Sequence, residues 1–285
     1  ERHIEVITLM QKIDSNYHTH IWLCRHAIGD IDDYVDRAIE LGYKEIGISD
    51  HVPLIDEIEK KLVTRRMTKE EYRTIYLPSL ARAKEKYQGK IVLYGAVEAE
   101  YFDAMDKLYP KMLKELDYLI LGQHYLPLPD GSFFSVYDKV SPERLDIYAQ
   151  TVTKALNTGC FKILAHPDIY LFNNPDWNAY AIKVAEEIID ACIANNVYME
   201  MNANGIRKRS FMNPEGELVY RYPRLEFWRL VRSKGAQVII NDDCHTVENL
   251  HDQATVTAYQ MAEALGIKYS TRISLPKAIE KENNE

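Results

Sequence analysis

The sequence predicts an α/β barrel of the (β/α) type, and three observations carry that expectation. Short apolar runs alternate with longer amphipathic stretches at a regular cadence, seven times along the chain. A length of 285 residues is ordinary for one such barrel. Apolar residues make up 46% and charged residues 27%, the balance of a globular protein with an ample core. Seven strand-then-helix units imply parallel strands joined by right-handed crossovers. No internal repeat, low-complexity tract or linker divides the chain, so residues 1–285 read as one domain with its core at about 16–270 and short tails.

Taken in order, strands are predicted near residues 16–20, 45–51, 90–100, 117–125, 162–166, 197–202 and 237–242, most of them rich in Ile, Val, Leu and Tyr. Helices are predicted between them. The first, 32–41, opens with acidic residues and stops at Gly42. The stretch 68–88 is helical, with Pro78 expected to break or kink it. Helices follow at 104–116, 142–158, 178–194, 223–234 and 247–265. Ser141 should cap the one that begins at Pro142, and Gly159, Gly235 and Gly266 sit where helices should end. Residues 127–139 and 208–222 read as turn-rich insertions, and 277–285 as a frayed tail.

The formal charge of -8 argues against a nucleic-acid backbone as partner. No apolar run approaches membrane-spanning length, and the first residues lack the apolar core of a signal peptide. The chain begins at Glu1 rather than Met, so the numbering is expected to start inside a longer chain. Cys24, Cys160, Cys192 and Cys244 lie far apart without a CxxC pair. They are expected to be reduced thiols of a cytoplasmic protein, although Cys24 and Cys244 each adjoin a candidate ligand.

Nine residues are spaced as a cluster of metal ions would need them: His18, His20, His26, His51, Glu98, His124, His166, Asp243 and His245. Of the nine histidines only His3 and His251 fall outside this set. Imidazole and carboxylate suit Zn, Mn or Fe, and nine ligands exceed what one ion can coordinate. Each of the nine is read at or just past the C-terminal end of a predicted strand, and in a parallel barrel those ends converge on one face. Alternation along a strand puts His18 and His20 on one side, and likewise Asp243 and His245. A lone histidine at a strand end is more often a satisfied structural residue. Seven at that address with two acids reverse the odds.

The run Tyr17-His18-Thr19-His20, Leu23-Cys24-Arg25-His26-Ala27 and Ile46-Gly47-Ile48-Ser49-Asp50-His51 resembles the polymerase-and-histidinol-phosphatase (PHP) superfamily, in its histidinol-phosphatase branch. Val97-Glu98-Ala99-Glu100-Tyr101, Gly122-Gln123-His124, Ala165-His166-Pro167-Asp168, Asn202-Ala203-Asn204-Gly205-Ile206-Arg207-Lys208 and Asp242-Asp243-Cys244-His245 agree with it. The resemblance covers about residues 16–250 and implies a distorted seven-stranded barrel with three divalent ions, Zn, Mn or Fe. By similarity His18, His20, Glu98 and Asp243 surround one ion, and Glu98 bridges to a second that His124 and His166 complete. His26, His51 and His245 then surround the third. Ile21, where a polar residue is common, and Cys244, where Ala is commoner, depart from the pattern without removing a ligand.

Clustered divalent ions depress the pKa of a bridging water, and the hydroxide so formed would attack phosphorus in line. The expected reaction is hydrolysis of histidinol phosphate to histidinol and phosphate. The alternatives are a PHP phosphoesterase acting on nucleotides or other small phosphate esters, and a non-catalytic metal-binding accessory domain. Asp243 or a nearby histidine is the candidate general acid. Arg207 is the candidate catalytic cation for the phosphate, favoured over Lys208 because its planar fork suits that group. Arg25 is a second candidate. Glu100 and Asn202 are candidates for the amine or imidazole of the substrate, and Phe133, Phe134 and Tyr137 for a lid. The expected partner is a small phosphate ester.

Overall fold

The computed structural model describes residues 13–275. His3 and the tail 277–285 lie outside the described residues. Among the described residues twelve strands occur in chain order: β1 (Ser15–Asn16), β2 (Glu45–Ile48), β3 (Val92–Ala99), β4 (Tyr118–Leu121), β5 (Tyr125–Pro127), β6 (Phe133–Ser135), β7 (Ile163–Leu164), β8 (Tyr198–Asn202), β9 (Phe211–Met212), β10 (Leu218–Val219), β11 (Val238–Asn241) and β12 (Tyr269–Ser270). Eight of them form one sheet in the order β1-β2-β3-β4-β7-β8-β11-β12, every pair parallel. The seven predicted strands are all there, several of them shorter than predicted. The eighth, β12, follows the last helix and was not predicted. Its two residues are half-buried, too short to leave a periodic signal.

The sheet curls into an incomplete barrel. Its edges are not joined by a ladder among the described residues, but the chain beyond β1 meets the chain beyond β11 in a parallel bridge, Thr19 to Cys244. There His20 N–H donates to the Cys244 carbonyl (2.9 Å) and Cys244 N–H to that of His18 (3.2 Å). This contact brings the HxH segment against the segment carrying Asp243 and His245.

Alternation sorts each strand into two environments. Val97, Leu119, Leu121, Leu164, Met199, Met201 and Ile240 join the large core between sheet and helices. Ala96, Tyr118, Ile120, Ile163, Ala165, Tyr198 and Ile239 form a second cluster, with Tyr17, which fills the barrel. Along the inner series, apolar residues give way to polar ones toward the C-terminal end: Ala96 then Glu98, Tyr198 then Glu200 and Asn202, Ile239 then Asn241. Period two thus delivers buried polar groups to one face only.

The helices depart from expectation where proline or capping intervenes. The predicted 68–88 helix is continuous, but a π-helical turn, Tyr72–Tyr76, joins Lys69–Glu71 to Leu77–Lys86. The wider turn accommodates Pro78, which lacks an N–H and crowds the preceding carbonyl. Predicted helix 104–116 is reduced to two short pieces, Asp103–Met105 and Tyr109–Met112, the second carrying Pro110. Helix 247–265 is split: Asp252 caps Gln253–Ala264, its carboxylate accepting from Thr255 N–H at 3.1 Å. The helix Leu145–Asn157 is preceded by a 3-10 turn, and Ser141 makes no side-chain cap. Gly159, Gly235 and Gly266 do end helices, at φ 73°, 74° and 65°. The two insertions fold into the hairpins β5–β6 and β9–β10.

Candidate metal centre

The C-terminal face of the barrel holds a cavity of about 190 Å³, lined by eight of the nine predicted ligands. The ninth, His18, is fully buried beneath it. Glu98, from the inner face of β3, is the hub. Its Oε2 lies 3.4 Å from His18 Nε2, 3.3 Å from His20 Nε2 and 3.1 Å from His51 Nδ1. Its Oε1 lies 3.0 Å from His166 Nε2 and 3.8 Å from His124 Nε2. Asp243 Oδ1 is 3.2 Å from His20 Nε2 and 3.6 Å from His18 Nε2. His26 Nε2 is 3.2 Å from His51 Nε2, and His245 stacks on His20 with ring centroids 4.4 Å apart. The structure therefore brings all nine together.

Three sets of donor atoms are each compact enough to hold an ion, the first two sharing His20: His18, His20 and Asp243; His20, His51 and His245; Glu98, His124 and His166. A fourth set, His20, Cys24 and Asp50, lies on the other side of the His20 ring. The tautomers test whether ions fit. Outer partners hold the Nδ1 atoms: Glu200 for His18 (2.8 Å), Asp50 for His20 (3.2 Å), the Cys24 carbonyl for His26 (2.8 Å) and Glu100 for His124 (2.8 Å). Each partner is an acceptor, so each Nδ1 carries a proton and each Nε2 presents a lone pair inward. The Nε2 atoms of His18 and His20 then face each other at 3.2 Å, and Asp243 Oδ1, buried, has no hydrogen-bond partner. Lone pairs converging on lone pairs and on two carboxylates call for cations between them.

Without ions, protons play that part. Burial opposes the charge on His18 and His20, but Glu200 and Asp243 beside the first, and Asp243 and Asp50 beside the second, raise both well above the ordinary histidine range. Burial likewise opposes ionisation of Glu98 and Asp243, yet the imidazoles around them hold both carboxyls well below the usual range. His245 is pushed down to about 3, by burial and by the charge on His20.

Two of the candidate ligands sit in left-handed backbone, His166 (φ 32°) and Asp243 (φ 48°). Conformations of this kind cost roughly 1–3 kcal/mol and persist where surroundings over-determine them. Here Glu200 accepts from His166 N–H (3.3 Å), and Asn202 donates to Asp243 Oδ2 (3.0 Å). Gly122 leaves room for the hub: a Cβ there would overlap the Glu98 carboxyl. Gly122→Ala is expected to displace Glu98 and lower metal content without changing a single ligand, which elemental analysis of the purified variant would read.

Several of the residues expected to contact substrate are engaged by other protein groups in the structure. Arg207 does not line the cavity. Its guanidinium donates to Asp252 (2.8 and 3.0 Å), the Asp242 carbonyl (2.5 Å) and the Asn249 carbonyl (3.0 Å), so it ties β8 to the last helix. Arg25 pairs with Glu71 at 2.6 Å. Glu100 is taken up by His124, accepting from its backbone N–H (3.0 Å) as well as its ring. Asn202 is buried and donates to Glu200 (2.7 Å) and Asp243. Phe134 packs into the core and Phe133 against Phe102, while Tyr137 does line the cavity, stacked over His124.

Glu200 was missed by sequence reasoning. It is fully buried and accepts from His18 Nδ1, His166 N–H, Asn202 Nδ2 and Asn241 Nδ2 (2.9 Å). The signal was available: a carboxylate two residues before Asn202, on the inner face of an otherwise apolar strand. Among the described residues no helix is long and apolar enough to cross a membrane.

Comparison with known proteins agrees with this architecture. The sequence pattern of the PHP domain matches residues 16–204. A Deinococcus radiodurans protein named "Probable histidinol-phosphatase" is 24% identical over 238 residues, 80% of this chain and 85% of that protein. A Schizosaccharomyces pombe protein of the same name is 22% identical over 237 residues, 78% and 77% respectively. Among solved structures, a candidate histidinol phosphatase from Listeria monocytogenes aligns with a TM-score of 0.65 at 17% identity, covering 84% of this chain and 98% of that one. The histidinol phosphate phosphatase of Lactococcus lactis, solved with Zn, L-histidinol and phosphate, aligns at 0.63 and 16% identity, covering 92% and 99%. At these identities the structures speak to the fold.

Proposed function

The chain belongs to the PHP domain family, and from that premise we propose that it is a metal-dependent phosphomonoesterase that hydrolyses histidinol phosphate to histidinol and phosphate. The observation that carries the metal chemistry is the inward convergence of Nε2 lone pairs on Glu98 and Asp243, with acceptors fixing the tautomers from behind. The substrate rests on the names of the relatives, which are similar over about four-fifths of the chain.

Three divalent ions are proposed, one at each compact donor set, with His20 common to two of the sets and Glu98 within reach of His18 and His20 as well as of His124 and His166. Held there, they would supply Lewis acidity toward the phosphoryl oxygens and a water made acidic enough to attack near neutral pH. The chain's own residues do the rest. Glu200, Asp50 and Glu100 hold the imidazole rings in one tautomer and one orientation. Asp243, held ionised, has no proton to donate, so its proposed role is that of a ligand rather than the general acid first expected. Tyr137 and Tyr222 wall the cavity beside His124 and His166.

Loading should release protons. Because His18 and His20 are raised well above the ordinary range in the metal-free protein, an ion must displace protons from them, and apparent affinity should weaken as pH falls. Calorimetric titration with Zn in two buffers of different ionisation enthalpy would read the release. Equal heats in both buffers would contradict it.

The substrate is tested by assaying Zn- and Mn-loaded protein against histidinol phosphate and a panel of nucleotides and small monoesters. Turnover of the others with none of histidinol phosphate would replace the substrate and keep the chemistry. Turnover of none would remove the enzymatic reading.

A further inference from the structure

Arg207 closes the short helix Asn204–Arg207, and Lys208 leaves it in extended conformation (φ -76°, ψ 162°), its N–H bonded to the Gly205 carbonyl at 3.2 Å. This change of direction separates two neighbouring cations. Arg207 is held by Asp252 and two carbonyls away from the cavity. Lys208 lines the cavity and, among the described residues, is the one Lys or Arg that does so. Its side chain is exposed, and no acid pairs with it among the described residues.

We propose that Lys208, and not Arg207, is the cation that receives the phosphate group of the substrate. This inference rests on the reading of the cavity as a phosphomonoesterase site and names one contact within it. A phosphate entering the cavity meets the carboxylates of Glu98 and Asp243, whose charge the ions offset. Beyond the ions its outer oxygens need a donor from the protein wall, where Asn204, Tyr137 and Tyr222 are neutral. An ammonium on a flexible four-carbon stem can follow those oxygens as phosphorus passes from tetrahedral to in-line geometry. Arg207 could do so only by abandoning Asp252 and the Asp242 and Asn249 carbonyls, which would be left unpaired.

The test uses Zn-loaded protein and inorganic phosphate as the probe, its affinity read by calorimetry and as competitive inhibition of monoester hydrolysis. Lys208→Ala should weaken phosphate by about 10- to 100-fold, the range of one charge-assisted hydrogen bond, and raise KM while metal content stays unchanged. Lys208→Arg should restore most of that affinity, and Arg209→Ala, an exposed neighbour that does not line the cavity, should leave it untouched. Arg207→Ala should instead lower the unfolding temperature, with the folded fraction binding phosphate as the unaltered protein does. Unchanged phosphate affinity in Lys208→Ala, or a greater loss in folded Arg207→Ala, would overturn the inference while leaving the phosphatase reading standing. If the unaltered loaded protein binds no phosphate and turns over no monoester, the reading beneath it fails as well.

Discussion

Glu98→Gln is expected to abolish the shared centre while leaving the barrel folded. The amide keeps the size of the carboxylate, so packing against Gly122 survives. What it loses is the charge and one of two acceptors that now face five imidazoles, three at Oε2 and two at Oε1. Whichever way the amide turns, its NH₂ is directed at one of those groups and removes that oxygen from coordination. Activity should therefore fall by about 10²- to 10³-fold, the range for loss of one preorganised electrostatic group, together with bound metal. Elemental analysis alongside the phosphatase assay checks both, and circular dichroism checks that the fold is intact. Full metal content with full activity would remove Glu98 from the hub.

Glu200→Gln is expected to act on the same centre without touching it. All four partners of Glu200 are donors: the His18 and His166 nitrogens and the amides of Asn202 and Asn241. A glutamine must turn its own NH₂ toward some of them, leaving buried donors unpaired. His18 also loses the acceptor that fixes its proton on Nδ1, so the tautomer with Nε2 free is no longer enforced. Changes of this kind behind a metal-bound histidine cost about 10- to 100-fold in metal affinity. Metal competition with a chromophoric chelator would measure it. An affinity unchanged within twofold would show that Glu200 serves the core alone.

Much of this site was legible in the sequence, and the reasons it was legible also explain what was not. Metal donors are rare residue types, and a parallel barrel sends its strand ends to one place. Spacing and strand prediction together therefore located all nine candidate ligands. Arg207 and Lys208 could not be told apart on the same logic: they are adjacent, chemically similar, and separated only by the turn after a four-residue helix, which leaves no periodic trace. Glu100 and Asn202 were noticed as polar residues near strand ends, but whether a buried carboxylate or amide faces a substrate or a ligand is decided across strands. That information is long-range: His124, just past β4, bonds to Glu100, just past β3, and Asn202 at the end of β8 donates to Asp243, just past β11. The helices failed locally, at Pro110 and Asp252, where a missing N–H or a capping carboxylate overrode an amphipathic pattern.

The strand ends of one barrel are placed to build a single centre for several ions. Its most direct test is the metal stoichiometry of the unaltered protein, loaded with Zn or Mn, desalted and analysed for bound metal against protein concentration. Three ions per chain is the predicted result, falling in Glu98→Gln. One ion per chain, or none after loading, would contradict it.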